Sequence, residues 1–454
     1  MNTLVLMRNT NFYAGCLGAL LLSGCATVSQ KEVFDSVSTL SAKENLVWIK
    51  TQSEADSVNE SVNSLLSKPL TQDNAVRIAL INNRLLQQTY EEIGISQSEL
   101  VQAGLMTNPL LGYSVGRSGG ITTTTWSLDV MFLDLLWIPL RRELGGLALE
   151  ETKYRVGDEV LKMARDTKIA YIDAKAAYEK MKLYDAVLKS HEASVQLAIR
   201  QNTAGNSSKR DFLKIQDAYA HARVEFMKLG REYAMARENL IRMLGLYGTQ
   251  THYDLSKEPL ELSGLSVDEK GLESRAIVNR LDMNAAIAKV DYTAAQAGYA
   301  KNTRLLDEIE LSAESEKTTD ENKFNTFGIK IPIPIFDFGQ GRVSQAQALY
   351  NQSVHHLHET AVNVRSQVRE GYASTRYSYD MAREMKDVVV PANEQILGET
   401  QKYYNGMLDG IYELLEDQRR LGETKIQALE ALGEHQKARA NLDYVLGGDN
   451  NATK

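Results

Sequence analysis

Residues 325–350 read NTFGIKIPIPIFDFGQGRVSQAQALY and contain the two patterns from which the rest of the chain is built. Between Phe327 and Ile335 every second residue is apolar, and the residues between them are small, basic or proline. This period of two predicts a β-strand with one apolar face. After Arg342 the apolar residues follow the period of an α-helix for about sixty residues. The stretch therefore predicts a one-sided strand that leads directly into a very long helix.

A similar transition from strand to long helix occurs earlier, in WSLDVMFLDLLWIPLRREL, residues 126–144. In both places a helical segment and a first short strand precede the transition, and a long helical hairpin follows it. The two copies are about two hundred residues apart, which is too long a period for a solenoid. We therefore predict a tandem duplication of class α+β, mainly α, with long coiled-coil hairpins and four β-strands per chain.

The two predicted repeats span residues 69–248 and 272–448, with a linker at 249–271 and a tail at 449–454. Each repeat is predicted to contain a helix, two strands and a hairpin, in that order. The predicted strands are near 110–116 and 122–134 in the first repeat and near 307–315 and 325–335 in the second, and the hairpin tips are near Gly205 and Gly406.

The hairpin helices show coiled-coil spacing. Apolar or small residues recur in steps of three and four across 160–198 and again across 212–243, which predicts an antiparallel pair packed along one seam. In the second repeat Pro391 lies inside the long helix and predicts a kink. Lys425 and His435 interrupt the seam of the last helix, so its packing is predicted to be less regular.

The composition excludes several classes of protein. The 454 residues have a formal net charge of −8 and no long basic run, which excludes nucleic acid as a partner. The two cysteines both lie near the N-terminus, so we expect no disulfide framework and no cysteine-based metal site. No apolar run reaches the length of about eighteen residues that a spanning helix needs.

The N-terminus has the layout of a secretory signal, because Arg8 precedes a short apolar run. The run ends in Leu-Ser-Gly-Cys at residues 22–25, which resembles a bacterial lipobox. This resemblance implies cleavage before Cys25 and lipidation of its thiol. Residues 1–24 are then a signal peptide, and residues 25–68 are predicted to be a lipid-anchored, extended tether with some local helix.

Two alternatives stay open at this end of the chain. Cys25 could be incidental in an ordinary secretory signal, and the chain could start at Met7 rather than Met1. Ala26 is not acidic, which favours the outer membrane over retention at the inner membrane.

One-sided strands and one-sided hairpins cannot bury their apolar faces within a single copy. Four strands cannot close a barrel, and membrane barrels have about eight or more strands with every edge paired. Several copies of the chain around one symmetry axis could combine their strands into one closed barrel. The apolar seams of the hairpins would then pack on hairpins of the neighbouring copies. Two copies would supply about eight strands and three about twelve, and the patterns alone do not choose between them.

Short motifs mark the boundaries of these patterns. They are Leu70-Thr71, Ala75-Val76, Ala79-Leu80 and Asn82-Asn83, then Arg280-Leu281-Asp282-Met283 with Ala285, then Pro332-Ile333-Pro334-Ile335-Phe336-Asp337 with Gly339, and the two tips Ala204-Gly205 and Asn405-Gly406. With these motifs, the pattern order over residues 69–447 resembles that of the TolC family of outer-membrane efflux ducts.

The resemblance implies a homotrimer in which four strands per chain form a twelve-stranded outer-membrane β-barrel, continued by a periplasmic α-helical tube. It implies docking to a periplasmic adaptor (membrane fusion) protein and an inner-membrane pump of the RND or ABC type. The other expected partner is outer-membrane lipid. No cofactor is expected apart from the covalent lipid on Cys25, and no reaction is expected.

The resemblance also implies three groups of site residues. Acidic residues after the second tip ring the periplasmic aperture, and two arginines one turn later could pair with them; the alternative is that these acids are solvated residues at a helix start. The hairpin tips would dock the adaptor, and a third group would form the junction of barrel and tube. The aperture residues are Asp409, Glu413, Glu416, Asp417, Arg419 and Arg420, the tips are Gly205 and Gly406, and the junction residues are Pro139, Pro332, Pro334, Asp337 and Gly339.

Three other functions remain as hypotheses. One is a lipid-anchored periplasmic coiled-coil scaffold without a pore, which would not need one-sided strands in four places. Another is the outer-membrane duct of a type I protein secretion system. The third is a periplasmic metalloenzyme built on the cluster His355, His356, His358 and Glu359, which lacks the known metalloprotease spacings.

Overall fold

The computed structural model of the protein describes residues 30–43, 46–264, 270–305, 309–320 and 323–448. Its helices are α1 (Lys31–Ser41), α2 (Gln52–Leu66), α3 (Gln72–Asn82), α4 (Arg84–Ala103), α5 (Leu133–Thr203), α6 (Lys209–Leu244), α7 (Leu272–Asn279), α8 (Leu281–Thr303), α9 (Gln340–Glu384), α10 (Val390–Asn405) and α11 (Ile411–Val445). Its strands are β1 (Leu110–Ser118), β2 (Ile121–Met131), β3 (Glu310–Thr318) and β4 (Lys323–Lys330).

The element order occurs twice. The series α3–α4–β1–β2–α5–α6 recurs as α7–α8–β3–β4–α9–α10–α11, in which the long helix of the second copy is divided. This confirms the predicted fold class, which is mainly α with two long hairpins and four strands. Closure into a trimeric twelve-stranded barrel concerns several copies and stays a prediction.

The described chain divides into two compact units. The first unit consists of the residues up to Val37 with Glu91–Tyr154 and Ala285–His358, and it contains the sheet. The second consists of Ser38–Tyr90, Arg155–Asn284 and the residues from Glu359 onward, and it contains the greater part of both hairpins.

The sheet of the first unit has the strand order β1-β2-β3-β4, and every neighbouring pair is antiparallel. The register is continuous: Leu111 lies opposite Leu128, and Leu311 lies opposite Ile329. Because side chains alternate along each strand, this register assigns every residue of the sheet to one of two faces.

Three predicted strand ends are wrong, one of them the end of β3, which lies at Thr318 rather than near residue 315. β4 ends at Lys330 rather than near residue 335, because Pro332 and Pro334 have no N–H group to donate to the sheet. β2 ends at Met131 rather than near residue 134 because α5 begins at Leu133.

Pro139, a predicted junction residue, lies inside α5, so it does not mark the boundary between β2 and the helix. The helix continues past it although proline removes one backbone hydrogen bond.

The predicted tether is largely helical where the structure describes it. α1 and α2 occupy much of the described part of residues 25–68. Thr51 and Glu54 form a capping box at the start of α2, with the Glu54 carboxylate accepting from the Thr51 backbone N–H at 2.9 Å. The predicted signal peptide and Cys25 lie outside the described residues.

Each repeat has a break in its first helix at the same place. Asn83 separates α3 from α4 and Arg280 separates α7 from α8, and both have extended backbone angles. The last helix of each repeat ends against this break. The Asn82 side chain donates to the carbonyl oxygens of Leu244 and Gly245, both at 2.9 Å. The Asn82 amide, near the start of the repeat, therefore pairs with carbonyl groups at the end of α6 that the helix itself leaves without a partner.

Gly245 should tolerate no side chain. Its φ is 67°, and an added Cβ would lie 3.0 Å from the Asn82 carbonyl oxygen. We expect Gly245→Ala to cost about 1–2 kcal/mol from the left-handed backbone alone. Gly230→Ala is the control, because nothing lies within 4 Å of its added Cβ and alanine favours a helix. Thermal unfolding followed by far-UV circular dichroism compares them, and an unchanged midpoint for Gly245→Ala would contradict the prediction.

Candidate functional site

One face of the sheet is apolar and uncovered within the chain. The register places eight of its large apolar residues on this face, with exposures from 39 % to 83 %. They are Leu111, Tyr113, Val115, Trp126, Leu128, Leu311, Phe327 and Ile329. An exposed apolar surface of this extent marks contact with a membrane or with another chain. The strands are 8–11 residues long, close to the length of about 9–11 residues that a tilted membrane-spanning strand needs.

The opposite face is mostly small and polar, and it carries charge. It contains Asp129, Glu310, Glu314 and Glu316, and Lys330 Nζ lies 2.5 Å from Glu310 Oε1. The other residues of this face include Gly112, Ser114, Gly116, Thr123, Thr125, Ser127, Ser312, Thr326 and Gly328. This face suits contact with water, whereas the first face suits an apolar environment.

Two of the predicted junction residues after β4, Asp337 and Gly339, form a turn with a backbone conformation that favours glycine. The Gly339 N–H donates to Asp337 Oδ1 at 2.7 Å, and the φ of Gly339 is 69°. A Cβ at this position would lie 2.7 Å from the Cβ of Arg304 and 2.8 Å from its carbonyl oxygen. Pro332 and Pro334 lie in the irregular segment between β4 and this turn.

Both predicted tips lie between two helices of the second unit. Gly205 has a φ of 74° between α5 and α6, as expected for a turn glycine. Gly406 does not have this role: its φ is −79°, and the left-handed residue is Met407 with a φ of 58°. Met407 and Leu408 are 93 % and 73 % exposed, so the second tip presents two apolar side chains.

Five of the six predicted aperture residues lie on α11, and Asp409 lies in the turn just before it. Asp409 and Glu413 are exposed, and neither has an ion pair within the part of the chain that the structure describes. The other four residues pair along the same helix. Arg419 binds Glu416 at 2.5 Å and Arg420 binds Asp417. The hydrogen bond from Arg419 lowers the pKa of Glu416.

The arginine pairs therefore exist but do not connect one helix to another. The contacts between α10 and α11 join one predicted aperture residue, Asp417, and Lys425 to residues outside the predicted group. Thr400 on α10 donates to Asp417 on α11 at 2.5 Å, and Lys425 Nζ lies 2.7 Å from Glu394 Oε1. In the sequence, Lys425 is recognisable only as an interruption of the apolar seam of the last helix.

A third contact joins the first hairpin to the last helix. Lys180 on α5 has a side chain only 6 % exposed, and its amine binds Glu232 on α6 at 2.5 Å and Glu430 on α11 at 3.0 Å. Ser190 also donates to the side chain of Gln418. These contacts hold three helices together through charge as well as through apolar packing.

His191 lies in the α5 seam, is 1 % exposed and has no hydrogen-bond partner on either ring nitrogen within the described residues. Burial, followed by the charge of Arg419, lowers the pKa of His191. The ring borders a cavity of about 470 Å³ that Glu416 and Arg419 also line. Both effects favour the neutral form of the histidine, which borders the same cavity as the ion pair of Glu416 with Arg419.

No group of three or more His, Cys, Asp or Glu residues in the described ranges is arranged to hold a metal ion. Within the same ranges no helix has the length and apolar character to cross a membrane.

Comparisons with known proteins agree on one family. The family described as "Outer membrane efflux protein" matches residues 146–246 and 272–448. The cobalt-zinc-cadmium resistance protein CzcC of Cupriavidus metallidurans is 23 % identical over 84 % of this chain and 90 % of its own length. The probable efflux pump outer membrane protein TtgC of Pseudomonas putida is 22 % identical over 95 % of this chain and 94 % of its own length. The crystal structure of the Campylobacter jejuni CmeC outer membrane channel superposes with a TM-score of 0.73 at 11 % identity, covering 83 % of this chain and 85 % of the other.

Proposed function

The chain belongs to the outer membrane efflux protein family, and on this premise we propose that it is the passive exit duct of a tripartite efflux or export system. Substrates would cross the outer membrane through a water-filled path, and the chain would carry out no reaction. The observation that carries this proposal is the sheet, with its exposed apolar face and its polar face. A scaffold without a pore would have no use for such a sheet.

A homotrimer is the proposed working form. Three four-stranded sheets would pair edge to edge as a barrel of about twelve strands, which removes the free edges of β1 and β4. The apolar face would then meet lipid, and the face with Asp129 and Glu314 would line the path. Lipid on Cys25 would add an anchor to the barrel.

The hairpin tips at Gly205 and Gly406 are the proposed docking points for a periplasmic adaptor, which would connect the duct to an inner-membrane pump of the RND or ABC type. Met407 and Leu408 support this, because two exposed apolar side chains beside a polar turn suit burial against another protein. The pump would select the cargo. Type I protein secretion and efflux of drugs or metal ions would therefore use different pumps with the same kind of duct.

The acidic residues after the second tip are the proposed aperture. Three copies of Asp409 and Glu413 would place rings of carboxylates at the periplasmic end, which favour cations. Glu416 and Asp417 contribute less, since Arg419 and Arg420 offset their charges.

Single-channel recording of the purified protein in a planar bilayer tests the proposed duct and the proposed aperture. We expect discrete conductance and a reversal potential, under a salt gradient, that shows cation preference. Asp409→Asn with Glu413→Gln should reduce that preference, because the free carboxylates are lost. The control exchanges the two acids, Asp409→Glu with Glu413→Asp, and should keep it. Absence of any pore would refute the duct, whereas an unchanged reversal potential would refute only the aperture.

A further inference from the structure

The exposed apolar face of the sheet changes composition in steps toward the two hairpin turns. The register defines successive rows across the strands, since residues directly opposite each other share a row. The rows are Leu111-Leu128-Ala313-Phe327, then Tyr113-Trp126-Ser315-Asn325, then Val115-Thr124-Lys317-Lys323, and finally Arg117-Thr122. An apolar row is thus followed by an aromatic row and then by basic residues.

The aromatic row has a defined geometry. The ring centroids of Tyr113 and Trp126 are 4.7 Å apart, and both side chains are more than half exposed. Tyrosine and tryptophan collect where hydrocarbon meets the polar headgroups, because one end of each ring system is apolar and the other is polar. The row therefore marks the level of a membrane interface on this face.

The basic residues beyond this level are Arg117, Lys317 and Lys323, and all three are exposed. Lys317 and Lys323 lie directly opposite each other, although like charges in that position destabilise a sheet. None of the three has an ion pair within the described residues. The nearest acids along β3, Glu314 and Glu316, are on the other face by alternation.

We propose that these three residues form a basic band that binds the phosphate groups of membrane lipids on the side of the hairpin turns. The inference rests on the proposed function, since it requires the sheet to span the membrane as part of the duct. Phosphate oxygens would relieve the repulsion between the two lysines, and the Arg117 guanidinium can bind such oxygens through two hydrogen bonds. The order of apolar, aromatic and basic rows matches the order of hydrocarbon, interface and headgroup.

Thermal unfolding of the reconstituted protein tests the band. The full chain is placed in vesicles of phosphatidylcholine, alone or mixed with phosphatidic acid, and the midpoint is followed by circular dichroism. We expect phosphatidic acid to raise the midpoint by a few degrees, and high salt to shrink this rise. Arg117→Gln with Lys317→Gln and Lys323→Gln should lose the rise. The matched control Lys209→Gln with Arg210→Gln and Lys214→Gln, at the first tip, should keep it.

Several outcomes would overturn the band. They are an absent rise in the unsubstituted chain, a rise that survives in the band variant, and a rise that the control loses equally. The same rise with inorganic phosphate in pure phosphatidylcholine would show a site for free anions rather than a membrane contact. Conductance is recorded from the same preparations. In the unsubstituted chain, an absent rise with intact conductance counts against the band alone, and absence of conductance counts against the duct.

Discussion

Arg280→Met is expected to lower the free energy of unfolding by about 3–5 kcal/mol, the range for a buried ion pair that loses one partner. Arg280 is 4 % exposed, and its guanidinium holds Asp282 through two hydrogen bonds of 2.9 and 2.6 Å. A third N–H group donates to Gln367 on α9 at 2.8 Å. Methionine would fill much of the volume, but it would leave the Asp282 carboxylate without its counter-ion.

A second carboxylate depends on the same arginine. The Tyr444 hydroxyl donates to Asp158 on α5 at 3.1 Å, and the Arg280 guanidinium lies 5.6 Å from the centre of the Tyr444 ring. Burial, followed by the charge of Asp282, raises the pKa of Asp158 to about 6, while Arg280 lowers it. Removing Arg280 should therefore raise the pKa of Asp158 further.

This shift gives the variant a pH signature. Asp158 binds its proton more tightly in the folded protein than in the unfolded chain, where the pKa is 3.8. Its contribution to stability is therefore present at low pH and is lost as pH rises from about 4 to about 7. In Arg280→Met the loss should extend to higher pH, so the deficit relative to the unsubstituted chain should grow with pH. Thermal unfolding at a series of pH values measures it.

Two further variants distinguish loss of the ion pair between Arg280 and Asp282 from the loss of an arginine in general. Arg280→Lys keeps the charge but not the planar fork, so an intermediate loss is expected. Arg231→Met removes an exposed arginine from α6 and should stay within about 0.5 kcal/mol of the unsubstituted chain. Equal stability of Arg280→Met and Arg231→Met would contradict the role assigned to Arg280.

The features that could be predicted from the sequence are those whose cause is local. Alternation around Phe327 and Trp126 predicts the two faces of the sheet, because a period of two needs only neighbouring residues. The steps of three and four in α5 and α6 predict the hairpin seam for the same reason. The order of elements then follows from the order of patterns.

The features that were missed have causes far along the chain. Lys425 interrupts the α11 seam in the sequence, but its partner Glu394 lies on another helix and no pattern connects them. Gly339 is a recognisable turn glycine, yet the reason that no other residue fits is the backbone of Arg304. The pairing of Arg419 with Glu416 was expected, but only the structure shows that it stays within one helix.

The second large effect is expected in α10, the helix that leads to the second tip. α10 contains no buried residue, whereas α11 contains ten. It is held to α11 in part by the contacts of Thr400 with Asp417 and of Glu394 with Lys425. A π-helical segment, Met385–Val389, and Pro391 lie at its start and give it a point at which to bend. The kink predicted at Pro391 stays a prediction, and the π-helical segment beside it makes α10 the candidate moving part of the proposed aperture.

Thr400→Val with Lys425→Met should therefore raise the mean conductance of the channel several-fold. The hydrogen bond to the Asp417 carboxylate contributes about 1.5–3 kcal/mol and the partly exposed ion pair at most about 1 kcal/mol. Since about 1.4 kcal/mol is a factor of ten in an equilibrium constant, their loss should favour the open state even after allowance for solvent. The matched control is Thr203→Val with Lys402→Met, because those side chains bond within their own helices. Planar-bilayer recording compares the double variant with the control. Equal conductance of the two would mean that loss of the Thr400 and Lys425 contacts does not free α10.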